Sequence, residues 1–213
     1  MSYRDEELLR LRQKAEAFRK EQTAEETIEK ECEQSIYDPV VYIMKIPVEF
    51  RERNLLEDQL TMRIPVDFEL LPPEVIQKLF LMDNKPQYVY ENPYLPLGLA
   101  FNLTQVTLSG NKLDVLYPYM ISALKKIGPG VHIISEDKRI SSDTEVRMIE
   151  YTARTLRDTT YNTQFLLNLN GRLLIANLNC PSVYMKRYKP IMQEMVQSIQ
   201  ILKPNAGGEH NDG

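Results

Sequence analysis

Few side chains in this sequence could act as nucleophiles, bases or metal ligands. The 213 residues include two cysteines, Cys32 and Cys180, and two histidines, His132 and His210. A thiol enzyme would pair Cys180 with His132 as nucleophile and base. Yet Cys180 closes an apolar run before Pro181, where a small buried residue is expected, and His132 lies in the β-branched stretch Val131 to Ile134. Both read first as structural residues, with the thiol enzyme as the alternative. No His-x-x-Glu-His or Cys-x-x-Cys spacing occurs, so a zinc site has almost nothing to be built from. Gly128-Pro129-Gly130 and Gly110-Asn111-Lys112 are turns without phosphate-loop spacing, and no Gly-x-Ser-x-Gly elbow is present. Aspartate and glutamate total 30, but no spacing selects an acid–base couple. Neither catalysis, cofactor nor metal is expected.

What remains is aromatic. Tyr88, Tyr90 and Tyr94 gather around the turn Asn92-Pro93-Tyr94-Leu95-Pro96, and Tyr117 and Tyr119 begin or flank a helix. Tyrosine joins a large apolar body to a polar tip, which suits interfaces and core margins alike. These five are the candidate partner-binding residues. The alternative is a small-ligand cleft lined by the tyrosines and Cys180.

The elements that carry these residues divide the chain into three expected parts. Residues 1–35 hold no glycine or proline and carry seven Lys/Arg against ten Asp/Glu, so this stretch supplies −3 of the net charge of −4. Leu8, Leu11, Ala15 and Phe18 step by three, four and three, which predicts a charged helical arm with one thin apolar stripe. Those four residues are the candidate contacts of the arm, either with the domain or with a second copy in a homodimer. Residues 36–204 form the expected domain, and 205–213 a polar tail. The acidic balance argues against a nucleic-acid partner. No apolar window is long enough to cross a membrane, and the start lacks a signal-peptide core. Together with two cysteines that make no disulfide framework, this predicts a cytoplasmic protein.

Within the domain, residues 40–46 read as one strand closed by Pro47, and Leu60 to Ile64 as another closed by Pro65. Pro72-Pro73-Glu74 opens a short helix through Phe80. Strands are predicted at 86–90 and 97–106, and a helix with Pro118 in its stripe spans Leu113 to Leu124. Long strands follow at 131–140 and 145–155. A hairpin then joins 161–169 to 173–178 through Asn170-Gly171, the dipeptide best suited to a type I′ turn. A closing helix carries the stripe Tyr188, Ile191 or Met192, Met195, Ile199 and Leu202, with Pro190 in or near its first turn. Strands joined by short turns pair antiparallel, and amphipathic helices must cover a sheet face. The expected class is therefore α+β.

Several short stretches resemble one superfamily. They are Ile64-Pro65-x-x-Phe68, Pro72-Pro73-Glu74, Lys85-Pro86-Gln87, Thr160-Tyr161-Asn162, Gly171-Arg172-Leu173-Leu174, Asn179-Cys180-Pro181, Tyr188-Lys189-Pro190-Ile191 and Ser198-Ile199. Together they resemble the PsbP-like fold superfamily, which includes the Ran release factor and DcrB-type proteins, and within it a bacterial branch. The resemblance spans about 56–202 and is most specific over 160–199. It implies an antiparallel β-sheet sandwiched between helices, preceded here by the helical arm, and partner binding without turnover. The family often places tryptophan where Tyr188 stands, and many relatives are secreted or lipid-anchored. The expectation is a non-catalytic cytoplasmic adaptor or chaperone-like module for a protein partner, with no membrane and no nucleic acid.

Overall fold

The computed structural model describes residues 25–80, 85–110, 112–127, 130–154 and 158–202. The candidate arm contacts Leu8, Leu11, Ala15 and Phe18, and the tail 205–213, lie outside the described residues. Residues 25–32 are helical (α1) and lead into a ribbon of β1 (Val41–Ile43) and β2 (Ile46–Val48). β3 (Phe50–Leu55), β4 (Leu60–Pro65) and the late β12 (Gln200–Ile201) make a three-stranded sheet in the order β12-β4-β3.

The large sheet has seven antiparallel strands. It uses β5 (Glu69–Leu70), β6 (Tyr88–Glu91), β7 (Gly98–Thr107), β8 (Val131–Ser141), β9 (Thr144–Arg154), β10 (Thr159–Leu169) and β11 (Arg172–Pro181), ordered β5-β6-β7-β11-β10-β9-β8. Among the described residues there are three further α-helices, α2 (Pro73–Leu79), α3 (Lys112–Ile127) and α4 (Met185–Gln197), the last entered through a 3-10 turn at Ser182–Tyr184.

Alternation along the strands divides the apolar residues between two cores. Tyr161, Phe165 and Leu167 of β10 and Leu174, Ala176, Leu178 and Cys180 of β11 face α4 and the small sheet. Leu166 of β10, Leu173 of β11 and Ile149 and Tyr151 of β9 face Leu113, Tyr117, Ile121 and Leu124 of α3. Helix stripe and strand face thus bury each other, giving an α/β/α sandwich. Of the expected α4 stripe, Tyr188, Ile191, Met192 and Met195 are buried, joined by Val196, but the helix ends at Gln197, so Ile199 (buried) and Leu202 lie beyond it.

Three details depart from the expectation, each for a local reason. The stretch 40–46 is not one strand: Met44 (φ 52°) and Lys45 (φ 67°) turn the chain into the β1–β2 hairpin, and Pro47 pairs with Tyr42 inside it. A type I′ turn made without asparagine or glycine leaves no signature in the sequence. β3 was hidden by its charged run Arg51-Glu52-Arg53, because it lies at a sheet edge. Pro190 is not at the first turn of α4 but inside the helix, which begins at Met185. Without an N–H, Pro190 leaves the Lys186 carbonyl without its helical donor. The Cys32 thiol donates there instead, at 3.1 Å.

That bond belongs to a belt. Arg187 Nε donates to Glu31 Oε2 at 2.6 Å, and Glu31 is 6% exposed. Ser35 Oγ and the Ile36 N–H both donate to Glu194 Oε2, at 3.0 and 2.7 Å. Arg63 donates to the Ile36 carbonyl and lies over the Tyr37 ring. Contacts with the sandwich therefore include Glu31 and Cys32, ahead of the boundary read from composition.

Candidate functional site

The thiol–imidazole pairing is not assembled. His132 pairs with Thr152, Thr152 with Tyr161, and Tyr161 with Cys180, so the two residues occupy one row of the sheet at opposite ends. Three strand spacings separate them by roughly 14 Å. Cys180 is 1% exposed, and burial pushes its thiol up to about 12, far from a thiolate nucleophile. His132 is exposed on β8.

The tyrosines are also dispersed. Tyr90 is buried and packs edge-on against Phe101, and Tyr88 is half-buried with its hydroxyl donating to Glu57 at 3.0 Å. Tyr117, on the buried face of α3, donates to the Met148 carbonyl at 3.0 Å and is pushed up to about 12 mainly by burial. Only Tyr94 and Tyr119 of the five are well exposed, on different parts of the molecule. No single cleft is lined by all five. Sequence reasoning passed over a second exposed group, Tyr37, Val40 and Tyr42, next to the β1–β2 ribbon. Its signal was present, two tyrosines in six residues, but the stretch read as a core strand.

The one carboxylate that the fold singles out is Glu150 on β9, 1% exposed. Its Oε1 accepts from Tyr161 (2.8 Å) and Gln193 (2.7 Å), and its Oε2 accepts from Lys189 (2.7 Å) and Ser135. Burial alone would raise its pKa, but the bonds from Lys189, Ser135, Gln193 and Tyr161 outweigh it and hold the carboxyl down at about 2. All four acceptor positions are occupied. The group is a fastener between sheet and α4, with no lone pair left to take a proton from a substrate.

An open recess of about 350 Å³ lies where β11 ends. One wall is the loop after β6, from Glu91 through Asn92, Leu95, Pro96 and Leu97 to Gly98; the other is Asp158, Thr160, Asn179, Cys180 and Pro181. Asn92 shapes the loop: its Oδ1 accepts the N–H groups of Tyr94 (2.8 Å) and Leu95 (3.0 Å), a local turn that only a short polar side chain can make. Gly98 lets the Asn179 side chain pack close against the backbone, since a Cβ there would lie 3.2 Å from Asn179 Oδ1. Two exposed apolar residues flank the recess in sequence: Tyr94, 67% exposed, beside Leu95, and Val183, 77% exposed, just beyond Pro181. Glu91 and Asp158 give the lining a negative character. Among the described residues, no three His, Cys, Asp or Glu side chains converge as a metal would need, and no helix is long and apolar enough to cross a membrane.

The fold is that of PsbP-like proteins. Over 72% of this chain and 92% of the other, it superposes on the solution structure of cyanobacterial PsbP (CyanoP) from Synechocystis with a TM-score of 0.53 and 11% identity. LpqN of Mycobacterium tuberculosis, involved in cell envelope biogenesis, aligns over 78% of this chain and 100% of its own with a TM-score of 0.48 and 13% identity. The immunity protein TplEi of Pseudomonas aeruginosa, in complex with a peptide, aligns over 72% of this chain and 58% of its own with a TM-score of 0.38 and 13% identity. At such identities the likeness concerns fold alone. No family model and no curated protein matches the sequence.

Proposed function

We propose that this chain is a non-catalytic protein-binding module, adaptor or chaperone-like, whose docking site is the recess at the end of β11. The observation carrying this reading is the recess itself: an open hollow lined by Leu95, Leu97 and Pro181, with the exposed Tyr94 and Val183 close to those lining residues in sequence. Exposed aromatic and aliphatic anchors around a concavity are the usual centre of a protein interface. Glu91 favours a partner segment that brings a basic side chain. The two free thiols suit a reducing compartment such as the cytoplasm.

A photo-crosslinking residue at Tyr94 or Val183 is expected to capture one discrete partner from cells that make the protein, and Glu91→Arg should reduce that adduct. The same label at Lys78, on the exposed side of α2, serves as control. Equal adducts at all three positions would refute a docking site here. The recess also falls within the size range of small-ligand sites, which supports the second reading, a small-ligand binder. In that case no protein adduct forms, and a small molecule copurifies with the wild type but not with Glu91→Arg.

A further inference from the structure

β8 forms one margin of the seven-stranded sheet, and among the described residues no strand meets the outer edge of its eleven residues. Other margins are shorter: β3, at the edge of the small sheet, has six residues. β5 at the far side is only two residues long. On β1, the Tyr42 N–H donates to Gln34 Oε1 at 2.6 Å and its carbonyl accepts from Gln34 Nε2 at 3.0 Å, so one side-chain amide stands in for a neighbouring strand. An open edge as long as β8 is a template for another strand.

The sequence of that edge selects its partner. A bulge between Ile133 and Ser135 interrupts the ladder, leaving Ser135–Ser141 regular. This stretch reads Ser-Glu-Asp-Lys-Arg-Ile-Ser, two acids followed by two bases. A parallel copy in register would set like charges opposite each other at every charged position, whereas an antiparallel copy centred on Lys138 sets Asp137 against Arg139 twice and leaves one like pair, Lys138 with Lys138. We propose that β8 pairs antiparallel with β8 of a second copy of this chain, across a two-fold axis at Lys138, joining two seven-stranded sheets into one.

The register follows from geometry. A two-fold of this kind keeps sheet faces aligned only when paired residues lie on the same face, an even residue sum. Pairing the whole regular stretch, Ser135 with Ser141, puts the axis at its midpoint, Lys138. On the α4 face, Arg139 Nε already lies 2.7 Å from Asp137 Oδ2 of its own strand. In the pair, each Arg139 also stands opposite Asp137 of the second copy, and the four charges alternate around a square. On the α3 face the two Lys138 side chains meet at the axis. Each is neutralised within its own chain by Glu145 at 2.7 Å and Asp114 at 3.9 Å. Ile140, 72% exposed, comes to lie against the aliphatic stem of Glu136. The bulge limits regular pairing to Ser135–Ser141, and the charged run deters an apolar strand.

The test uses the full chain. Sedimentation equilibrium over a concentration series is expected to give a mass rising from 24.9 kDa toward twice that value. Asp137→Arg or Arg139→Asp alone should weaken self-association roughly tenfold. The double exchange should restore it, because the square keeps its alternation. In a Cys32→Ser background, Lys138→Cys is expected to form a disulfide-linked dimer on mild oxidation, and Lys78→Cys on α2 is not. A monomer at every concentration overturns the proposal. So does a dimer that the single reversals leave intact, or that Lys138→Cys fails to trap, since the contact then lies elsewhere.

Discussion

Glu150 shows how much depends on one side chain. Four donors converge on it from β8, β10 and α4. A glutamine offers only one acceptor oxygen and turns two hydrogens toward those donors, so Glu150→Gln leaves the Lys189 charge unmatched. The expected loss at pH 7 is about 2–3 kcal/mol by urea unfolding. Its pH dependence has a definite sign. The carboxyl sits at about 2 in the folded chain against 4.5 unfolded, so its contribution is complete above 4.5 and fades as pH falls toward 2. Wild type and Glu150→Gln should therefore converge in stability between pH 4.5 and 2; a constant gap across that range would contradict the assignment. None of this was legible in the sequence. The donors stand fifteen residues before and eleven, thirty-nine and forty-three after Glu150, so only the assembled sheet brings them together.

Among the elements, tight turns carry the unexpected features. The β8–β9 hairpin turns through Ser142 (φ 44°) and Asp143 (φ 68°), both left-handed and neither glycine. Such residues cost on the order of 1 kcal/mol each. Ser142→Asn with Asp143→Gly installs the pair that prefers this turn, and calorimetry should show a rise of about 2–4 °C in Tm. The β10–β11 hairpin already has Asn170 (φ 50°) and Gly171 (φ 87°), and there sequence and structure agree. The contrast explains what could be read. Long strands and α4 announced themselves through alternation and a helical stripe, and Asn170-Gly171 through its chemistry. β1, β2, β3 and β12 are short, charged or turned by residues without a signature, and their pairing is decided by the layer they pack on. Of the residues lining the recess, the sequence pointed only to Cys180, in the alternative of a small-ligand cleft. The recess itself was not legible, because Asp158, Asn179 and Glu91 come from three separate strand ends.

At the scale of the molecule, the belt from Glu31 to Tyr37 ties the charged arm to α4. Deleting residues 1–35 should leave one cooperative transition, since both apolar cores lie beyond residue 35. The deletion also removes the partners of Arg187 and Glu194, so a loss on the order of 2–4 kcal/mol is expected in denaturant titrations. Loss of the sharp transition itself would show that the belt is part of the folding core. Glu31→Gln alone should reproduce about half of the loss.

The thiol of Cys32 reaching the carbonyl that Pro190 vacates has a consequence for biosynthesis. Lys186 leaves the ribosome 154 residues after Cys32, and the strand that completes the small sheet is made later still. Cys32 and the belt around it can find their seats only once α4 has been made, and until then this stretch is open to chaperones.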